Sequence, residues 1–136
     1  MEQFPYGFGV RTTLSLEDAE AAVRRALAEE GFGVLTEIDV AATLQKKLGV
    51  ERPPYRILGA CNPGLAHQAI QRDADVGVLL PCSVIVRADE AGGVSMAAVD
   101  PVATLGGTGD TGLVEIAAQV REKLGRVVAR LGGQQG

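Results

Sequence analysis

Two cysteines are the residues of this 136-residue chain that could most directly carry chemistry. Cys61 is followed by Asn62 and Pro63. This order predicts the start of a helix, because Asn is a preferred N-cap and Pro suits the first helical position. The positive end of a helix stabilises an anion and favours ionisation of a neighbouring thiol. The segment therefore allows a reactive thiolate at Cys61.

Cys82 is the second candidate thiol, and it follows Pro81 in the next predicted strand. The helix that starts at Pro63 could connect the two cysteine-bearing strands as a βαβ unit and place them side by side. A disulfide requires Cα atoms within about 7 Å, and the two cysteines lack the CxxC spacing of redox motifs. Both can equally be inert core residues, because free cysteine is among the most buried residue types.

A soft-metal site is a further interpretation of the same region. Ligands for zinc or copper could come from Cys61, Cys82, His67 and either Glu37 or Asp39. No compact ligand spacing joins these residues; His67 can be a solvated helix residue, and Asp39 an N-cap. The candidate ligand-binding residues are Cys61, Asn62, Pro63, Cys82, Glu37 and His67. No catalytic residue, metal or cofactor is assigned.

A glycine-rich segment precedes the last predicted helix, at Gly106-Gly107-Thr108-Gly109. Helix N-termini attract anions, which raises the question of phosphate binding. The segment lacks the lysine of a P-loop and does not follow a first strand, as a dinucleotide fold requires. We therefore expect a flexible loop over residues 102–111, and consider a lid.

Hydrophobic periodicity predicts five strands and four helices. The predicted strands are Phe8–Thr13, Phe32–Ile38, Tyr55–Cys61, Val76–Val86 and Val94–Val99. The first two helices follow N-caps at Ser15 and Asp39 and end at Gly31 and Gly49, and the third spans Pro63–Arg72. The last helix follows Asp110 or Thr111 and carries one apolar face from Leu113 to Leu131.

These elements predict an α+β fold, a two-layer sandwich in which helices pack mainly on one face of a five-stranded sheet. The hairpin ending in Val94–Val99 makes the predicted sheet mixed. Because Pro81 lies inside its strand, we expect that strand to be bent, bulged or at a sheet edge near the proline. The alternation from Phe32 to Ile38 predicts a strand largely buried on one face or both. We expect one domain over residues 1–131 and a flexible tail over 132–136.

The composition narrows the functional class. Hydrophobic residues make up 46% of the chain and charged residues 22%, the balance of a globular protein, and the net charge is −4 with no basic run. Clustered Lys and Arg are needed to displace counterions from phosphates, so we expect no nucleic-acid partner. Neither a membrane span nor a secretory signal is present, which predicts a cytoplasmic protein. The excess of Arg over Lys and the single Asn are compatible with a thermophile.

Several segments together resemble the bacterial and archaeal domain-of-unknown-function family 302. They are Phe32-Gly33-Val34, Glu37-Ile38-Asp39, Tyr55-Arg56-Ile57-Leu58-Gly59-Ala60-Cys61-Asn62-Pro63 and Leu79-Leu80-Pro81-Cys82. The resemblance covers nearly the whole chain. It implies a two-layer α+β fold similar to the TATA-binding-protein-like superfold, decorated by extra helices, and it implies no established activity.

Two functional hypotheses follow. In the first, the chain is a small-ligand, thiol/sulfur or soft-metal binding module centred on Cys61 and Cys82. In the second, it is a non-catalytic homo-oligomer, most simply a dimer, in which both cysteines are structural. An enzyme that uses the carboxylates has no support beyond their presence.

Overall fold

The computed structural model describes residues 1–132, and six strands in that range form one open antiparallel sheet of order β1-β2-β6-β5-β4-β3. The strands are β1 Glu2–Phe4, β2 Gly7–Thr12, β3 Gly33–Asp39, β4 Tyr55–Cys61, β5 Cys82–Ala88 and β6 Val94–Val99. The helices are α1 Leu16–Glu29, α2 Val40–Leu48, α3 Pro63–Arg72, α4 Pro101–Thr104 and α5 Thr111–Gly132. Two 3-10 turns span Val76–Leu79 and Leu105–Thr108.

The predicted helix boundaries are confirmed where capping residues set them. The Ser15, Asp39 and Asn62 side chains accept hydrogen bonds from the first turns of α1, α2 and α3. Gly31 and Gly49 adopt φ values of 84° and 68°, the left-handed conformation that glycine enters without a Cβ penalty. Local side-chain chemistry therefore decides where these helices begin and end.

Helices α1 and α5 pack on the same face of the sheet and supply the core. Val23 and Leu27 of α1 and Leu124 of α5 are fully buried against this face. The sheet contributes the alternating inward residues of its central strands, namely Leu58, Val84, Val86, Met96 and Ala98. The predicted α+β class is thus confirmed, and no helix in residues 1–132 combines the length and apolarity of a membrane span.

The predicted strand count and the mixed sheet are wrong. Strand β1 was not predicted because it is only three residues long, and it pairs with β2 in a tight hairpin that sets Gln3 opposite Phe8. Strands β4 and β5 are neighbours, which the sequence allowed, but the βαβ unit considered for them is wrong, because they run antiparallel, with Ala60 opposite Cys82. Helix α3 packs on α5 instead of running back along the sheet, so β5 begins at the same end of the sheet at which β4 finishes.

Two segments predicted as a strand and a loop contain helical turns. The strand expected over Val76–Val86 starts only at Cys82, because Asp73 accepts hydrogen bonds from the N–H groups of Asp75 and Val76 and organises a turn. The expected flexible loop over 102–111 holds part of α4 and a 3-10 turn with Leu105 buried in the core. Because this segment is packed against the core, the expectation of a flexible loop or lid over residues 102–111 is wrong.

Strand β3 is an exposed edge, contrary to the expected buried strand. Leu35 and Ile38 are 66% and 47% exposed, because β3 has a single neighbour, β4, and the helical layer covers little of it. At the other end of the chain, Gly132 is the last residue of α5, although the predicted tail began there. The remaining tail residues, 133–136, lie outside the described residues.

Candidate functional site

The two cysteines lie at adjoining strand ends. Cys61 is the last residue of β4 and is half-buried, whereas Cys82 is the first residue of β5 and is buried. Both line one small cavity of about 20 Å³, which will hereafter be called the cysteine cavity. Its other walls include Leu65 and Ala69 of α3 and Leu105. The structure thus brings the two predicted thiol residues together.

Asn62 and Pro63 position helix α3 beside the cysteine cavity. The Asn62 Oδ1 accepts a hydrogen bond of 3.3 Å from the Leu65 N–H, and its Nδ2 donates one of 3.4 Å to the Glu30 carbonyl. Pro63 occupies the first turn, where a missing N–H costs nothing. Asn62 therefore ties the end of α1 to the start of α3, a structural role that its own contacts fully account for.

Burial sets the protonation state of the deeper thiol. It raises the pKa of Cys82 to about 11, and the nearby Cys61 adds to the effect. A thiol with this pKa is protonated at neutral pH and is a poor nucleophile or metal ligand. Any thiolate chemistry in the cysteine cavity would thus have to begin at Cys61.

Glu37 and His67, the other predicted ligand residues, are not brought to the cysteine cavity. Glu37 pairs with Arg24 at 2.9 Å and lies four residues along β3 from Gly33, the partner of Cys61. That offset corresponds to about 13 Å along a strand. His67 is exposed on α3. Within residues 1–132, no three His, Cys, Asp or Glu side chains are grouped to hold a metal ion.

A much larger concavity lies on the face of the sheet opposite helices α1 and α5. Its volume is about 560 Å³, and we call it the open-face groove. The side chains that alternate with the core residues of the central strands face it. Its lining includes Glu2, Phe4, Tyr6, Gly9, Arg11, Tyr55, Ser83, Ile85, Arg87, Ser95, Ala97 and Val99.

Strand register arranges the open-face groove in rows. Tyr55 of β4 lies opposite Arg87, Arg87 opposite Ser95, and Ser95 opposite Arg11 of β2. The next row along the strands runs Ile57, Ile85, Ala97 and Gly9. A polar, cationic row and an apolar row therefore lie side by side on one surface.

The two arginines of the polar row differ in their partners. Arg11 bonds to Asp89 at 2.8 Å, and this guanidinium, together with the Gly93 N–H, holds the pKa of the Asp89 carboxyl below its usual range. The Arg87 side chain is half-buried and makes no hydrogen bond or ion pair with any residue of the 1–132 range. The positive charge of Arg87 is therefore uncompensated by a direct partner.

An aromatic pair from the N-terminal hairpin forms one wall of the groove. The rings of Phe4 and Tyr6 meet edge to face with centroids 4.8 Å apart. Gly7 makes room for this wall, since a Cβ there would lie 2.7 Å from the Phe4 ring. At the far side, Tyr55 stacks under the guanidinium of Arg52, at 5.1 Å from the ring centroid.

Comparison with known proteins fits this architecture. The profile of the family described as "Domain of unknown function DUF302" matches residues 8–131. The chain belongs to this family. The crystal structure of an uncharacterized conserved DUF302 protein from Bacillus stearothermophilus superimposes with a TM-score of 0.84 and 29% identity, over 92% of this chain and 97% of that chain. Among curated proteins, none matches.

Sequence reasoning located the cysteines of this DUF302 chain but missed the groove. A signal was present: β5 and β6 alternate buried apolar residues with Ser83, Arg87, Ser95 and Ala97. Such alternation is typical of a sheet that is covered on one face only. Its concavity, however, depends on strand β1 and on cross-strand register, neither of which the sequence reveals.

Proposed function

We propose that this DUF302 chain is a small-ligand-binding protein whose ligand occupies the open-face groove. One observation carries the proposal: the groove has a volume of about 560 Å³, within the range of small-molecule sites, and combines aromatic walls with few polar groups. The cysteine cavity, at about 20 Å³, has room for roughly one water molecule. A small-molecule ligand therefore fits the groove and not the cysteine cavity.

The shape of the open face favours a ligand over a second copy of the chain. Its centre carries small side chains, Gly9, Ser95 and Ala97, whereas its rims carry Phe4 and Tyr55. Sheets that pack on each other fill the space between them with interdigitating side chains. A depressed centre at which arginines flank a small residue, Ser95, is better suited to hold a separate molecule.

Tyrosine fluorescence provides a groove-specific test. The chain has two tyrosines and no tryptophan, and Tyr6 and Tyr55 both line the groove. We expect ligands found by thermal-shift screening to change this fluorescence. Ala97→Phe should abolish the response by filling the groove floor, whereas Leu35→Phe on the exposed edge strand should not. If bound compounds leave the tyrosine signal unchanged, the groove is not their site.

A second proposal retains a thiol or sulfur function for Cys61. Its support is the shared cavity of Cys61 and Cys82 beside the start of α3. Because the cavity is small, the ligand would be a sulfur-sized species or a reagent that attacks Cys61 from solvent. We expect thiol labelling of the folded protein at neutral pH to be fast and lost in Cys61→Ser, but kept in Cys82→Ser. Labelling as slow as that of a buried thiol would contradict this proposal.

Homo-oligomerisation is a third proposal, and the edge strand β3 favours it. Leu35 and Ile38 are exposed on this edge, and Leu48 of the following helix is 70% exposed. An exposed apolar edge strand readily pairs with another chain. We expect a concentration-dependent dimer in sedimentation that Ile38→Lys disrupts and the groove variant Ala97→Phe does not. A strictly monomeric protein at high concentration would contradict it.

The remaining sequence-based expectations stay predictions. They are the cytoplasmic location, the thermophilic source, the single domain, and the absence of nucleic-acid and membrane partners. Likeness to the TATA-binding-protein-like superfold also stays a proposal, and it carries no DNA-binding function, because function resides in sites and the chain has a net charge of −4.

A further inference from the structure

We infer that the open-face groove selects a small amphipathic carboxylate, with its carboxylate on the polar row and its apolar body on the neighbouring row. This inference rests on the proposed ligand-binding function and adds the chemical class of the ligand. The argument depends on charge compensation, on the spacing of the rows, and on the volume of the groove.

Charge compensation identifies the head-group site. Arg11 is neutralised by Asp89 at 2.8 Å, whereas Arg87 has no direct partner within residues 1–132. The Ser95 side chain lies between the two arginines in register. A guanidinium binds a carboxylate through two parallel N–H···O bonds, and a neighbouring hydroxyl can donate a third. Arg87 and Ser95 therefore form the preferred position for one carboxylate.

The amount of charge favours a monoanion over a polyanion. Only one guanidinium of the polar row is uncompensated, and Glu2 adds a carboxylate to the groove lining near Gly9. A di- or triphosphate would bring several negative charges to a site that offers one free positive charge. The protein as a whole also carries a net charge of −4, which repels highly charged anions over longer distances.

Row spacing sets the length of the apolar body. Ile85 and Ala97 lie two residues along the strands from Arg87 and Ser95, or about 7 Å. The aromatic wall lies further on, because Phe4 is opposite Gly7, which is four residues, or about 13 Å, from Arg11. A carboxylate joined to an apolar group by a short chain would span these rows, and its ring would end near Phe4.

The decisive experiment compares three ligands that differ in the head group alone: 4-cyclohexylbutanoate, 4-cyclohexylbutanamide and 4-cyclohexylbutylamine. None of them absorbs where tyrosine is excited, so the fluorescence of Tyr6 and Tyr55 reports binding directly. We expect the carboxylate to bind at least about tenfold more tightly than the amide, in keeping with the strength of charged hydrogen bonds. Added salt should weaken the binding of the carboxylate and leave the binding of the amide unchanged.

A matched pair of variants assigns the preference to Arg87. Arg87→Gln should remove the difference between carboxylate and amide, whereas Arg25→Gln, an exposed arginine on α1, should preserve it. Should Arg87→Gln fail to fold, the salt dependence of the unmutated protein still tests whether the preference for the carboxylate is electrostatic.

The outcomes separate the two proposals. Equal binding of carboxylate and amide, with no effect of salt or of Arg87→Gln, would overturn the carboxylate class while ligand binding in the groove stands. Tighter binding of the amine would overturn it in the same way. If none of the three compounds changes the tyrosine signal at millimolar concentration, the carboxylate class is rejected, and the ligands found by thermal-shift screening then decide separately whether the groove is a ligand site.

Discussion

The two faces of the sheet use the same strands for different purposes. On the helix-covered face, Leu58, Val84 and Val86 are fully buried and leave a cavity of about 20 Å³ beside the cysteines. On the open face, Ile85 and Arg87 are half-buried and line about 560 Å³ of space, and Ile57, which lies opposite Ile85, is also half-buried. The difference indicates that one face holds most of the buried core, whereas the other face remains partly open to solvent.

The largest expected effect comes from truncating two adjacent residues of β4, Leu58 and Ile57, whose side chains lie on opposite faces of the sheet. Leu58→Ala should lower the free energy of unfolding by about 2–5 kcal/mol, because it leaves a cavity in a closed core. Ile57→Ala, which removes a side chain that is already partly solvated, should cost about 1 kcal/mol. Urea unfolding of both variants measures the difference. Comparable losses would mean that the open face is as important to folding as the core.

Unfolding at alkaline pH tests how well the helix-covered face shields Cys82 from solvent. Burial raises the pKa of the Cys82 thiol to about 11, well above its ordinary value of 9.0, so the folded state disfavours the thiolate. The stabilising effect is complete below about pH 9 and is lost as the pH rises to about 11, by roughly 2–3 kcal/mol. The unfolding free energy of the Cys82→Ala variant is subtracted from that of the wild type at each pH. This difference isolates the contribution of Cys82, because Lys and Tyr titrate in both proteins. A flat difference between pH 9 and 11 would show that Cys82 is solvated.

Removal of the Asn62 cap should lower the free energy of unfolding by an intermediate amount. Asn62→Ala deletes the bond from the Leu65 N–H and the link to the Glu30 carbonyl. We expect a loss of about 1 kcal/mol in thermal or urea unfolding, as for other N-caps. Asn62→Asp, which keeps the capping oxygen but sets a second oxygen against the Glu30 carbonyl, should restore only part of it. Tyrosine fluorescence of ligand-bound protein should not respond, because the open face is remote from this cap.

The ion pair between Arg11 and Asp89 should show the smallest effect on stability. The pair is exposed, so its contribution is slight. Because the folded pKa of Asp89 is lowered, the contribution is present above the pKa of an unfolded Asp and is lost as the pH falls through the folded value. Asp89→Asn should therefore lower the unfolding midpoint slightly at pH 7, but not in strong acid. An undiminished difference in acid would point to a cause other than this charge.

The sequence predicted some parts of the candidate sites better than others. The start of α3 at Asn62 and Pro63 and the span of β4 were predicted correctly, because they depend on neighbours in the chain. The proximity of Cys61 and Cys82 was considered and left open, since it depends on a cross-strand register. Prediction of a buried β3 was wrong because alternation shows that a strand has two faces but not whether a second layer covers it.

By itself, then, the sequence determined the α+β class, the capped helices, the family and the pairing of β5 with β6, since each rests on local chemistry or on a recognisable run of residues. Only the tertiary structure decided the antiparallel order, the exposed edge at β3, and the open-face groove with Arg87 beside Ser95. These features arise from contacts between residues far apart in the chain, and such contacts form only when the helical layer has closed one face and left the other open.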